Sequence, residues 1–194
     1  MKQPIHRRTR PLSAHLPNAL SNWLRSNFGL FVLGLLTLAF SVPMRAHSDA
    51  LINPTAPLGI LSLQFTFSLD AAQTLLHTWD STALQHARLS LYWDMGFAPA
   101  YGITLAALTE RLSAYRARHD FQPAPVIAWL PVWAALADWL ENLFHLCLVS
   151  ANGCGAAEIL PALGGAAALL KWGLLASWML AMVWLVLNRV ANKP

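Results

Sequence analysis

Asp138, Glu141, Asn142 and His145 are spaced i, i+3, i+4 and i+7 in a stretch that is otherwise apolar, so a helix there lines them up on a single face. Clustered carboxylates beside a histidine, in surroundings of low dielectric, are the arrangement used for general acid/base work and proton relays. Glu141 and His145, one turn apart, also have the spacing to share a divalent cation with Asp138 or Asp94 as a third ligand. Nothing else in the chain completes a metal motif, so no metal is assigned. Asp94, Tyr101 and Lys171 are the other polar groups set in apolar runs. A charge at the centre of a bilayer costs at least ~2.5–3.5 kcal/mol, so such residues are informative exceptions.

What surrounds them is short of charge. Of 194 residues 56% are apolar and 11% are Asp, Glu, Lys or Arg, against roughly 45–50% and about 25% in a soluble domain. Charge is missing in blocks, at 26–44, 95–109, 121–137, 142–157 and 172–188. Helices facing lipid produce this pattern; intrinsic disorder, a nucleic-acid-binding domain and an ordinary cytosolic enzyme do not. The net charge of +4 sits in a tail carrying Lys2, Arg7, Arg8, Arg10 and Arg25, while eight cations and nine anions follow residue 26. A short basic tail before an apolar run reads as a topology signal, and it lacks the interleaved basic and aromatic residues of a nucleic-acid surface.

The expected architecture is an all-α membrane protein, a four-transmembrane-helix bundle with a short helical exoplasmic loop and one extended segment. The spans fall at 28–44, 90–110, 123–149 and 169–189. Residues 1–27 form a cytoplasmic basic tail, 111–122 a cytoplasmic loop and 190–194 a cytoplasmic tail. Residues 28–44 also admit a signal-peptide reading, weakened by the long leader and by Arg45 beside the cut. Within the 45–89 loop, 45–60 reads as extended, and Leu61 to Ser68 alternates apolar and polar residues as a half-buried strand does. One strand cannot stand alone, so it must pair with a copy in another subunit, lie at the membrane surface or pack on helices. Ser68 or Asp70 can cap a short helix through Trp79, and Asp80 or Ser81 can cap the next, which runs into the second span. There, Pro99 lacks an amide donor and so frees the carbonyl of Met95, which predicts a kink one turn from Asp94. Pro123 and Pro125 suit the opening of the third helix. Residues 150–168 hold a turn at Asn152 to Gly155 and then a small-residue helix, unless that helix is continuous with the fourth span and strongly tilted. Gly173, Ser177 and Ala181 recur every four residues, which lets a neighbouring helix come close.

Counting Lys and Arg by segment puts both termini in the cytoplasm of a cell with this protein in its inner membrane, and the 45–90 segment outside. Depths follow at the helical rise. Glu141 and His145 lie roughly 6 and 12 Å outward of the bilayer centre and Asp94 about 10 Å outward, and Lys171 can enter the same layer. We therefore expect an outward-facing pocket in which Asp94, Glu141 and His145 are the candidates for catalysis. Tyr101, Asp138, Asn142 and Lys171 are the candidates for binding, and Trp93 and Trp139 form its walls or an interfacial belt. The bland alternative is that these groups only pair with one another to fix helix register.

Cys147 and Cys154 are placed to form a disulfide in an oxidising compartment but are too far apart in sequence for a reactive C-x-x-C pair. His47, His77 and His86 are scattered through the loop and read as surface residues. The stretches Asp-Met-Gly-Phe-Ala-Pro-Ala-Tyr (94–101) and Leu-Ala-Asp-Trp-Leu-Glu-Asn (136–142) resemble those of small four-span bacterial membrane proteins of unassigned function. The resemblance runs from the strand-like segment through the third span; it implies that the acid row is a site and implies no reaction. Two functions remain. One is the handling of a small molecule, lipid or ion in the pocket, with no cofactor specified. The other is a non-catalytic subunit, or a self-associating or assembly partner, that docks another protein through the first loop by strand addition.

Overall fold

A computed structural model describes residues 18–117, 126–150 and 158–191, and everything described as regular is helical. The elements are α1 (Asn18–Arg25), α2 (Asn27–Asp49), α3 (Leu61–Gln64), α4 (Leu69–Leu76), α5 (Ser81–Ala117), α6 (Val126–Val149) and α7 (Leu160–Ala191). Three of them, α2, α6 and α7, are long and apolar enough to cross a membrane. Such helices satisfy every backbone polar group internally, which is what a bilayer demands. The basic tail before residue 18, Pro123, Pro125, Cys154 and the turn from Asn152 to Gly155 lie outside the described residues.

Local chemistry sets the ends. Ser26 caps α2, its hydroxyl accepting from the Gly29 amide at 2.8 Å, and Ser68 caps α4 through the Ala71 amide at 3.3 Å. Asp80 caps α5, accepting from the Ala83 amide at 2.8 Å. α2 continues through Pro43 to Asp49, so the first part of the loop expected to be extended is the last turn of the helix. Asn53 then closes a turn on the amides of Thr55 and Ala56, both at 2.9 Å. The chain swings back at Gly59, whose φ of 58° needs a residue without a β-carbon. There the Ile60 amide reaches Ser48 Oγ at 3.2 Å.

The strand expected at Leu61 to Ser68 does not form: 61–64 is a helical turn and there is no strand among the described residues. Burial explains this. Leu63 and Gln64, adjacent in sequence, are both buried, whereas Leu61, Phe65 and Phe67 are exposed, so the inward face has no period of two. With no partner strand to satisfy its backbone, the segment turns on itself, and Thr66 Oγ1 donates to the Leu63 carbonyl at 2.7 Å. The loop has its own core, in which Leu51, Ile60, Leu63, Leu75 and Trp79 pack on Leu91 of α5 and Val149 of α6. The Trp79 indole donates to the Leu51 carbonyl at 3.1 Å. The short helix expected to reach Trp79 ends at Leu76.

The long helices pack in series, α2 on α5, α5 on α6 and α6 on α7. The share of the apolar stretch buried inside the chain is 39% for α6 and 11% for α2 and α7, which makes α6 the centre of the series and leaves the outer two with one working face each. Small residues set the spacing. A β-carbon on Gly102 of α5 would fall 2.8 Å from Ala135 Cβ of α6, and Gly96 of α5 lies under the Phe40 ring of α2. Thr37 and Thr104 hydroxyls meet at 3.0 Å between α2 and α5. Near the opposite end from the loop, Arg25 pairs with Glu110 at 3.4 Å, Arg111 bonds Asn27, and the Trp178 indole donates to Thr109 Oγ1 at 2.8 Å, tying α7 to α5.

α7 is one uninterrupted helix, so the separate small-residue helix expected before residue 169 is the first part of the same element. Its early glycines are contact points: a β-carbon on Gly164 would meet His145 Nε2 at 2.8 Å, and one on Gly165 would meet the Phe67 ring at 2.5 Å. Gly173, expected to receive a neighbouring helix, has no described residue within 4 Å of such a carbon.

Candidate functional site

The acid row of α6 faces inward. Asp138 is 2% exposed and Glu141, Asn142 and His145 are each 0% exposed. Because α7 runs antiparallel beside it, Lys171 comes level with the first two acids while Gly164, seven residues earlier, lies against His145. Lys171 Nζ stands 2.9 Å from Asp138 Oδ1 and 2.7 Å from Glu141 Oε2. It also lies 5.2 Å from the centre of the Trp172 ring. One buried ammonium is thus shared by two buried carboxylates. The His145 ring sits farther off, with Nδ1 3.8 Å from Glu141 Oε1, beyond hydrogen-bonding distance. Among the described residues, neither nitrogen of the buried His145 has a hydrogen-bond partner, and the buried Asn142 amide interacts with Asp94.

On α5, Ser90, Asp94, Phe97, Tyr101 and Leu105 recur every three or four residues and so share one face. That face looks onto a cavity of about 630 Å³, a size ordinary for small-molecule sites. Four of the seven expected site residues line it: Asp94, Tyr101, Asp138 and Lys171. Glu141, Asn142 and His145 do not line it, and they form a buried row deeper between α6 and its neighbours. This corrects the expectation of one seven-residue pocket. The four share one face, but the row extends roughly 10 Å along the helix axis, and the cavity meets only its Asp138 end.

Trp93 and Trp139 are not its walls; they stand partly exposed on the outside of the bundle. The tryptophan that lines the cavity is Trp172, whose indole donates to Gln64 Oε1 at 3.4 Å. Gln64, buried in α3, and Arg45 and Asp49, from the last turn of α2, also line it and were not singled out from the sequence. Ser90 was missed as well; one turn before Asp94 on the same face, it was open to detection by extending the i, i+4 row backwards. Its hydroxyl donates to the Met44 carbonyl at 3.0 Å, joining α5 to α2.

α3 and the turn before it line the upper end of the cavity, and beyond its lower end α5 and α7 are joined at Thr109 and Trp178. Its remaining side lies between α2 and α7, which do not pack on each other to any extent among the described residues. Leu105 and Leu175 form the apolar lower wall, and Ile52, Leu58, Ile60 and Leu61 the apolar upper wall. The Tyr101 hydroxyl is buried there with no hydrogen bond of 3.5 Å or less among the described residues.

Two of the three loop histidines read as scattered come together, with His47 Nδ1 and His86 Nδ1 at 2.9 Å between α2 and α5. Cys147, near the end of α6, is disulfide-bonded.

The chain matches no protein-family model, no curated protein and no solved structure. Its function is therefore argued from the site alone.

Proposed function

We propose that this is an integral membrane protein of a cell inner membrane in which α2, α5, α6 and α7 all cross the bilayer, with both termini cytoplasmic and the loop end outward. We further propose that its cavity takes up a membrane-soluble small molecule. α5 carries more charge than its neighbours, but it packs between two apolar helices along much of its length, which supports its crossing with them. The count of Lys and Arg supports the orientation, and the resemblance to small four-span bacterial membrane proteins agrees with it.

The observation that carries the functional reading is the combination in one cavity of a polar belt (Asp94, Tyr101, Asp138, Lys171), apolar walls on both sides of that belt, and a flank between two helices that would both face lipid. A molecule with one polar group and an apolar body fits such a space, and it can enter from the bilayer without crossing water. Asp94 is the acid best placed to touch it. Glu141 and His145, behind Lys171 and Gly164, act on it only through other groups.

The test is mass spectrometry of what copurifies from native membranes with the wild type and with Leu175→Trp, which fills the lower wall. A molecule present in the first and lost in the second, at unchanged thermal stability, supports the reading. Identical yields from both would sink it. Topology is checked separately with periplasm-active and cytoplasm-active reporters fused at each end and after Thr78.

A second reading, a subunit or assembly partner docked through its loop, draws on Ile52, Leu58, Leu61 and Phe65, which are apolar and exposed at the loop end. Contact through this surface replaces strand addition, which needs a strand that the described residues do not form. Phe65→Ser, at a residue that does not line the cavity, would then release a copurifying protein while leaving small-molecule content unchanged.

A further inference from the structure

The cavity is more acidic than basic at its polar belt, and the excess has a definite location. Asp94 and Asp138 line it with a single ammonium, Lys171, which Asp138 already shares with Glu141 behind it. Asp94 makes no ion pair among the described residues, and it borders the cavity. Two turns further along the same face is the Tyr101 hydroxyl, on a residue 7% exposed; it interacts with Asp138, makes no hydrogen bond of 3.5 Å or less among the described residues, and keeps its acceptor side free. A buried hydroxyl in that condition costs free energy until something completes it. Phe97, Tyr101 and Trp172 line the same cavity, and aromatic rings attract cations. A carboxylate without a counterion, an unfilled hydroxyl acceptor and aromatic walls are together complementary to a cation that donates hydrogen bonds.

Resting on the membrane-soluble-molecule reading above, we infer that the ligand is a lipid bearing a primary ammonium head group, with the ammonium between Asp94 and Tyr101 and the apolar chains along Leu105 and Leu175 toward the open flank. Lys171 does not repel it, because its charge is taken up by Asp138 and Glu141. Arg45, exposed on the rim of the same cavity, is the cation available to a phosphate in such a head group.

The experiment measures binding to the purified full chain in detergent by native mass spectrometry. The probes are phosphatidylethanolamine, its N-acetylated form and phosphatidylglycerol, all with identical chains, and soluble ethanolamine. Phosphatidylethanolamine is expected to bind about tenfold more tightly than the other two lipids, the worth of one charged hydrogen bond, and soluble ethanolamine is expected not to displace it. Asp94→Asn should erase the preference, and Asp94→Glu should keep it. Should Asp94→Asn fail to fold, the comparison of the acetylated and free amines on the wild type decides alone. Equal or reversed preference among the lipids overturns the inference, as does displacement by ethanolamine at matched concentration. If lipid binding is lost in Leu175→Trp yet ignores the head group, only the ammonium assignment falls. If no lipid binding depends on Leu175, the cavity reading falls with it.

Discussion

The Trp139 indole of α6 donates a 2.8 Å hydrogen bond to the Met95 carbonyl of α5, the carbonyl that Pro99 leaves without its helical donor. A proline inside a helix is tolerable when a neighbour restores the lost partner, and here the neighbour belongs to the helix that carries the acid row. The bond holds the Asp94 turn of α5 at a fixed height against α6.

Trp139→Phe should therefore destabilise the fold by ~0.5–1.5 kcal/mol, the net worth of one hydrogen bond. Pro99→Ala should restore the helix's own bond, so the cost of Trp139→Phe should shrink in that background. A double-mutant cycle on unfolding in mixed detergent micelles measures the coupling. Additive effects would show that the indole is not the partner that matters.

Lys171→Met should be among the most damaging single changes, costing about 3–5 kcal/mol, because it strands Asp138 and Glu141 as buried carboxylates without a counterion. The triple change Asp138→Asn, Glu141→Gln, Lys171→Met removes every charge at once and should recover most of that loss. Unfolding midpoints of the two variants decide it. A triple variant that is stable and still retains its copurifying molecule would mean the charges serve register alone.

Gly164→Ala places a carbon within 2.8 Å of the His145 ring, which has no free space on that side. We expect a loss of about 1–3 kcal/mol from overpacking. His145→Ala in the same chain should relieve much of it. Gly173→Ala, which meets no described residue, is the control and should leave the melting temperature within error.

Cys147 should resist alkylation by maleimide in unreduced, detergent-unfolded protein and become reactive after treatment with a reductant, because it is disulfide-bonded. Intact-mass measurement with and without the reductant reads the difference directly. Full labelling before reduction would contradict the bonded state.

Charge scarcity and its placement are properties of composition, so they were decided by the residues themselves. They specified the helical class, the apolar stretches of α2, α6 and α7, the caps at Ser68 and Asp80, and the orphaned Met95 carbonyl. Helical periodicity likewise put Asp138, Glu141, Asn142 and His145 on one face, and similar depth brought Asp94 and Lys171 to their level. All of this depends on interactions within a few residues or on depth in one direction. The residue pattern could not say which side of each helix meets a neighbour. That depends on packing between segments far apart in the chain: Gly164 on His145, Gly102 on Ala135, Trp178 on Thr109. Tertiary structure alone therefore divided the seven polar residues into four that line a cavity and three that lie behind it. It made a helical turn of Leu61 to Gln64, whose alternation had no strand to pair with, and it brought Gln64 and Arg45 to the cavity from elements with no local mark of a site, and Trp172 from its place beside Lys171.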